Sequence, residues 1–225
     1  MTTTTIDFNL LDATHPFAPQ RFRIGLVVRG MSAPGHTPDD EGHADCVLPS
    51  GAPIGFFADT TAAGSSGDTA AGPLLFSGAV TGAFTGEVYS YADYLRERPP
   101  YVRRDLAVAQ RCVSTLLVID VSDSEARRFE HAWTSMRHDP GQFGILGFNC
   151  STHAGWAFAS AGLLATPARA MGPRGSSEIE GFDTPAGLYR QLIEGPANSR
   201  FESYSGYLGF EPMGHGMYRV DIDSL

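Results

Sequence analysis

The sequence predicts an α+β protein in which an antiparallel sheet packs against helices. Three observations support this class. Short apolar or alternating segments, separated by Gly/Pro turns, are typical of strands. A capping box at Ser122 and Glu125 begins an amphipathic helix. A second segment with helical spacing begins at Cys150. The chain has 225 residues, of which 42 % are hydrophobic and 18 % charged, which suits one globular domain.

The strands are expected along most of the chain. Residues 24–29 (IGLVVR) form a buried strand, and residues 42–48 (GHADCVL) alternate in polarity. The turn Pro49-Ser50-Gly51 then leads into the second arm of a hairpin, residues 54–58. Further strands are expected over residues 74–80, 87–89, 115–121 and, as one or two strands, within 201–223.

The helices are marked by their caps and by their apolar spacing. The helix after Ser122 carries a buried stripe and ends before Pro140; the stripe comprises Ala126, Phe129, Trp133 and Met136. The Cys150 helix ends at Gly162, a residue suited to a left-handed cap. A third helix begins at Thr184-Pro185 and ends at Gly195, and a short one covers residues 91–98.

Composition and charge exclude several classes of function. The net charge is −9 with no basic stripe, which argues against a nucleic-acid partner or an anionic membrane surface. Three cysteines without CxxC spacing argue against a disulfide framework and a structural zinc site, so no metal or cofactor is expected. Residues 1–20 lack the features of a secretory signal peptide, and no apolar run reaches membrane-spanning length, so no integral membrane association is expected. We therefore expect synthesis in the cytoplasm and export, if any, by a route that reads no N-terminal signal.

Cys150 is the candidate nucleophile. It stands in the first turn of its helix, where unpaired backbone N–H groups and the helix dipole favour a thiolate over a thiol. Lowering the pKa in this way is how proteins activate a cysteine. The alternative is that Cys150 is a small buried residue that packs the helix. Cys46 and Cys112 are assigned to the core.

A thiolate nucleophile needs a base, and His43 is the candidate. It begins a strand in which His43, Asp45 and Val47 share one face, so it can meet a helix N-terminus packed across that sheet. The alternative is an ordinary polar strand residue. His153, three residues after Cys150, suits a packing or capping role at least as well as catalysis. The other five histidines lie in loops or off the apolar stripe of a helix.

The two segments together resemble the circularly permuted branch of the papain-like, NlpC/P60-related cysteine hydrolases, in which the strand His precedes the helix Cys. The matching motifs are Gly42-His43, Gly55-Phe56-Phe57, Leu146-Gly147-Phe148-Asn149-Cys150 and Ala161-Gly162. The resemblance implies a permuted papain-like core over residues 24–164. Residues 1–23 would be an N-terminal lead-in, and residues 165–225 a C-terminal extension packed on the same domain.

The resemblance also implies roles for single residues. Cys150 would be the nucleophile, His43 the general base, and backbone N–H groups at the start of the helix would stabilise the oxyanion. The family usually has a third polar residue on the strand next to the His strand, and here the expected His or Asn is absent. Pairing about Ser50-Gly51 sets Ala58 or Asp59 opposite His43, so Asp59 is the first choice. Ser77, Glu87 and Asp45 are alternatives, as is a dyad.

The commonest substrate in the resembled group is an amide bond in the peptide stems of peptidoglycan. A small acidic chain of this kind is similar to type VI secretion effectors, which are delivered into the periplasm of a neighbouring bacterium. We therefore expect a secreted antibacterial cysteine peptidase or amidase, whose partners would include an immunity protein and a secretion-apparatus carrier. Two other classes stay open: an acyltransferase, thioesterase, deamidase or protease directed at lipids or host proteins, and an inactive binding module.

Overall fold

The structure is a computed structural model that describes residues 2–10, 21–29, 42–59, 84–144, 148–165, 184–195 and 197–225. Within these ranges ten strands form one sheet, and every pairing between them is antiparallel. Five α-helices accompany the sheet in the same ranges. The predicted α+β class with an antiparallel sheet is confirmed. No helix in the described part of the chain is long and apolar enough to span a membrane.

Nine of the ten described strands follow one continuous order in the sheet. The strands are β1 (Thr3–Ile6), β2 (Asn9–Leu10), β3 (Arg21–Arg29), β4 (His43–Val47), β5 (Pro53–Ala58), β6 (Phe84–Tyr89), β7 (Ser114–Ser122), β8 (Gln142–Phe143), β9 (Phe201–Gly214) and β10 (Met217–Ser224). Their order is β1-β10-β9-β7-β3-β4-β5-β6-β8, and β2 pairs with β3 off this path. The strands predicted within residues 24–121 are confirmed, except that residues 74–80 lie outside the described residues.

Four of the five described helices begin after a residue suited to an N-cap. They are α1 (Tyr91–Glu97), α2 (Arg104–Ala109), α3 (Asp123–His138), α4 (Cys150–Ala161) and α5 (Pro185–Glu194), with 3₁₀ turns at Pro99–Tyr101 and Asn198–Arg200. Ser122 and Glu125 form the predicted capping box, and the four predicted stripe residues of α3 are buried. Gly162 ends α4 with a φ of +83°, as expected of a left-handed cap. The six-residue α2 was not predicted.

Apolar side chains fill both faces of the sheet. One core contains Ala44 and Cys46 of β4 together with the buried residues of α3, α4 and α5. The other contains Val47 and, from α1, Tyr94. The predicted alternation of β4 is therefore confirmed. Successive side chains at the start of β4 therefore point to opposite faces of the sheet.

Both ends of the chain join the central sheet. Strand β9 pairs with β7, β10 pairs with β9, and β1 pairs with β10. The expected polar lead-in thus contains a strand, because alternate threonines bind the neighbouring strand: Thr3 and Thr5 donate to Asp223 and Asp221 at 2.6 and 2.7 Å. Threonine also has a high strand propensity. The C-terminal residues 201–224 form the predicted strands, as a hairpin.

Candidate active site

Cys150 lies at the start of α4 and points at the beginning of β4. The preceding residue, Asn149, is the N-cap, and its Oδ1 accepts the amide of Thr152 at 3.0 Å. This cap leaves Cys150 in the first turn, where amides have no partner within the helix. The amide of Ala44 donates to Cys150 Sγ at 3.5 Å. Cys150 is buried, with 6 % of its surface exposed. A backbone donor and a helix N-terminus thus both face the sulfur.

His43 is the first residue of β4, and its ring is held by neighbours on two sides. The ring stacks on Phe57 with 4.3 Å between centroids. Its Nε2 lies 2.6 Å from Asp45 Oδ1. Because Nε2 is engaged by the carboxylate, Nδ1 is the nitrogen left to exchange a proton with Cys150. Burial lowers the pKa of His43, but the charges of Asp45 and Cys150 outweigh it and raise the pKa to about 9.

The thiol of Cys150 responds to the same pairing in the opposite direction. Burial alone would raise its pKa. The positive charge of His43, a hydrogen bond with that ring and the Ala44 amide together outweigh burial, so the pKa of Cys150 lies below its ordinary value. A raised histidine pKa beside a lowered cysteine pKa favours a thiolate–imidazolium pair at neutral pH. Cys150 therefore has the electrostatic setting of a nucleophile.

Asp45 is the carboxylate that contacts His43. Its Oδ1 also accepts the hydroxyl of Tyr94 at 2.6 Å, and its Oδ2 forms an ion pair with Arg29. Burial would raise the pKa of Asp45, but the charges of His43 and Arg29 and these hydrogen bonds lower it. The Arg29 guanidinium in turn donates to Tyr101 O at 3.0 Å and lies 4.0 Å from the centre of the Tyr101 ring. Asp45 is thus held ionised on the His43 side of the sheet.

The first choice for the third residue, Asp59, lies beyond the end of β5 and is not opposite His43. Strand β4 pairs Asp45 with Gly55 and Val47 with Pro53, a register that sets Phe57 opposite His43. The predicted pairing, with Ala58 or Asp59 opposite His43, is therefore wrong by one or two residues. The cause is the turn: Leu48 N donates to Ala52 O at 2.9 Å, so a three-residue loop joins the strands.

Asp59 follows the end of β5, where its amide donates to Thr85 O at 2.8 Å. Its negative charge helps to raise the pKa of Glu87, after burial and the charge of Asp93. Glu87 pairs with Phe57 and so stands one strand further from β4. Ser77 lies outside the described residues. Of the residues considered for the third position, the geometry supports Asp45, which contacts His43.

The other two cysteines and His153 differ from the Cys150–His43 pair in their burial and contacts. Cys46 is fully buried in the core, as predicted, and burial raises its pKa well above the ordinary value. Cys112 is only partly buried, so its assignment to the core was wrong. His153 stacks on Phe56 with 3.4 Å between centroids, and its Nδ1 donates to Asn149 O at 3.0 Å. Burial lowers the pKa of His153 to about 4, which leaves a neutral packing and capping residue.

Arg29 and Tyr94 were missed as parts of the site. Arg29 carries a sequence signal, because it ends the buried, otherwise apolar second part of β3, where a charge requires a partner. Tyr94 carries none, because its contact with Asp45 spans 49 residues of sequence. The described residues contain no group of three or more His, Cys, Asp or Glu side chains placed to hold a metal ion.

The chemistry of the arrangement is that of an activated thiol with a proton donor and acceptor beside it. A thiolate at a helix N-terminus can attack an electrophilic carbonyl carbon, and a buried imidazolium can protonate the group that leaves. Comparison of the chain with protein-family models, with curated proteins and with solved structures gave no match.

Proposed function

We propose that the protein is a cysteine hydrolase, a peptidase or amidase, in which Cys150 is the nucleophile and His43 the general base and acid. The observation that carries this proposal is the convergence of the Cys150 thiol, the Ala44 amide and the His43 ring at one end of β4. Asp45 takes the third position in place of Asp59, on the strength of its 2.6 Å contact with His43 Nε2.

The proposed reaction has two halves. The Cys150 thiolate attacks the carbonyl carbon of an amide, and the C=O electron pair moves to oxygen to form a tetrahedral oxyanion. The amide of Cys150, at the helix start, stabilises that oxyanion. The C–N bond then breaks as His43 gives its proton to the leaving amine. In the second half His43 removes a proton from water, the hydroxide attacks the thioester, and the thiolate leaves with the imidazole protonated again.

We further propose that the core is a permuted papain-like fold. The order of the functional residues supports this, because His43 opens a sheet strand and precedes a Cys150 that opens a helix. The Gly55-Phe56-Phe57 motif supplies the strand next to His43, and Phe57 is the residue on which the imidazole stacks. The extension 165–225 adds β9 and β10 to the same sheet.

For the substrate we propose an amide bond in the peptide stems of peptidoglycan, cleaved by a secreted antibacterial effector of the type VI kind. An immunity protein and a secretion carrier would then be its partners. This step rests on the resemblance alone, since fold and site geometry define a reaction type more closely than a substrate.

The test is growth of a Gram-negative host that expresses the chain with and without an added periplasmic signal peptide. Each version is compared with Cys150→Ala, His43→Ala and, as a matched control, Cys46→Ala. Toxicity that appears only from the periplasm, is lost in the first two variants and survives in Cys46→Ala is the expected result. Analysis of peptidoglycan fragments would then identify the bond.

Toxicity that persists in Cys150→Ala would refute the catalytic assignment. Absence of toxicity from either compartment, with all versions equally expressed, would refute the cell-wall substrate. It would move the assignment to a lipid or host-protein substrate, or to a binding module.

A further inference from the structure

The carboxylate of Asp45 is held by more partners than a simple Asp–His contact requires. Oδ1 accepts both His43 Nε2 and the Tyr94 hydroxyl, each at 2.6 Å, while Oδ2 faces Arg29. His43 and Asp45 are two residues apart on one strand, so strand geometry alone points both side chains away from the sheet rather than at each other. A further contact is therefore needed to hold the Asp45 carboxylate against the His43 ring.

Gly55 provides the space that brings Tyr94 to this carboxylate. It stands directly opposite Asp45 on β5. A Cβ at Gly55 would overlap both Asp45 Oδ1 and the Tyr94 hydroxyl oxygen. The Tyr94 hydroxyl thus passes through the volume that any other side chain at this position would fill. The requirement at Gly55 is close approach, since its φ is not positive.

Tyr94 itself is held rigidly. Its helix begins at a capping box formed by Ser90 and Asp93, with the Ser90 amide donating to Asp93 Oδ2 at 2.8 Å. The Tyr94 ring is buried and meets the rings of Phe57 and Tyr89 edge to face, at 5.6 and 5.8 Å between centroids. A side chain packed in this way can direct its hydroxyl along one line only.

We propose that Tyr94, admitted by Gly55, is a positioning residue whose hydroxyl holds Asp45 Oδ1 against His43 Nε2 and thereby keeps the imidazolium turned towards Cys150. The inference rests on the proposed function only in treating Cys150 and His43 as the reacting pair. It assigns the positioning role to a residue of α1, which reaches the site through its hydrogen bond to Asp45.

A different role for the hydroxyl makes the opposite prediction. If Tyr94 only shares the negative charge of Asp45, then its loss leaves more of that charge to His43, which strengthens the imidazolium and favours the thiolate. If Tyr94 positions the carboxylate, its loss lets Asp45 turn towards Arg29, which weakens the imidazolium and disfavours the thiolate. The titratable and charged groups around Asp45 are Arg29, His43, Cys46, Tyr94, Tyr101 and Cys150.

The experiment measures the rate at which iodoacetamide alkylates Cys150 as a function of pH, with the Cys150 peptide followed by mass spectrometry. The proteins are the full chain, Tyr94→Phe, Asp45→Asn and the double variant, each checked for folding by circular dichroism. We expect Tyr94→Phe to slow alkylation at pH 7 on the order of tenfold and to move the profile to higher pH, in the direction of Asp45→Asn. In the double variant, Tyr94→Phe should add no further effect.

A second pair of variants tests the role of Gly55. Gly55→Ala should reproduce the slow alkylation of Tyr94→Phe. Gly86→Ala is the control, because its added Cβ would press on the Phe56 ring of the neighbouring strand and not on Asp45. A Tyr94→Phe profile that coincides with the unchanged chain or moves to lower pH overturns the proposal, as does full additivity with Asp45→Asn.

Failure of this inference is distinguishable from failure of the proposed function. If Cys150 of the unchanged chain has no elevated reactivity at pH 7, then the proposed nucleophile itself is wrong. If Cys150 is reactive and loses reactivity in His43→Ala but not in Tyr94→Phe, then the proposed function stands and the positioning role of Tyr94 falls.

Discussion

Replacing Asp45 by Asn removes one buried negative charge while it keeps the shape of the side chain and one oxygen acceptor. Among the effects that raise the pKa of His43, the charge of Asp45 is the largest. The rise from an ordinary 6.5 to about 9 corresponds to about 3 kcal/mol, at about 1.36 kcal/mol for each pH unit. Without that charge, burial opposes the imidazolium more effectively, and we expect the pKa of His43 to fall.

The consequence for Cys150 follows from the coupling. The His43 charge is the largest effect that lowers the pKa of Cys150, and the direct repulsion from Asp45 is the smallest of the effects on this thiol. Loss of the imidazolium should therefore raise the pKa of Cys150 and lower the thiolate fraction at pH 7. Loss of the correct tautomer of His43 would slow hydrolysis further, with losses of about 10⁴-fold known for such a change in a catalytic triad.

The assay is the absorbance of thiolate at 240 nm against pH, taken as the difference between each protein and its Cys150→Ser counterpart. We expect the thiolate absorbance of the unchanged chain to appear at a lower pH than that of Asp45→Asn. Asp45→Glu serves as the control that keeps the charge. A folded Asp45→Asn whose thiolate titrates at the same pH as that of the unchanged chain would contradict the coupling of Asp45, His43 and Cys150.

Three further predictions concern stability and can be measured by chemical denaturation. Ser122→Ala should lower the free energy of unfolding by about 1 kcal/mol, since it removes the cap of α3, whereas a change within about 0.3 kcal/mol would contradict the capping box. Phe129→Ala should cost about 3–5 kcal/mol because the ring is fully buried, and Phe148→Ala, at a side chain 40 % exposed, should cost less than 1 kcal/mol. The pKa of His153 is about 4 in the folded chain, so as the pH falls below 6.5 the unfolded chain takes up this proton before the folded chain does. The free energy of unfolding should therefore fall between pH 6.5 and 4. His153→Phe should lack this part of the fall.

The local parts of the fold and site could be predicted from the sequence because local signals specify them. The α3 helix carries both its capping box and its apolar stripe in consecutive residues. The Cys150 helix carries its start at Asn149 and its end at Gly162. His43 was identified because its strand alternates in polarity and begins with it.

The sequence could not predict features that depend on strand register or on contacts between residues far apart in the chain. The third residue was misplaced because a turn centred on Ser50, rather than between Ser50 and Gly51, shifts every pair on β5. Tyr94 could not be found because a helix that follows β6 brings it to β4 through the gap at Gly55. The helix α2, of six residues, is too short for its periodicity to be visible.

The proposed function requires that Cys150 is a thiolate activated by His43. The most direct test is the rate of iodoacetamide alkylation of each of the three cysteines at pH 7, measured by mass spectrometry on the full chain and on His43→Ala. We expect Cys150 to react much faster than Cys46, whose pKa is raised by burial, and we expect His43→Ala to abolish the difference. A Cys150 that is no more reactive than Cys46, or is equally reactive without His43, would contradict it.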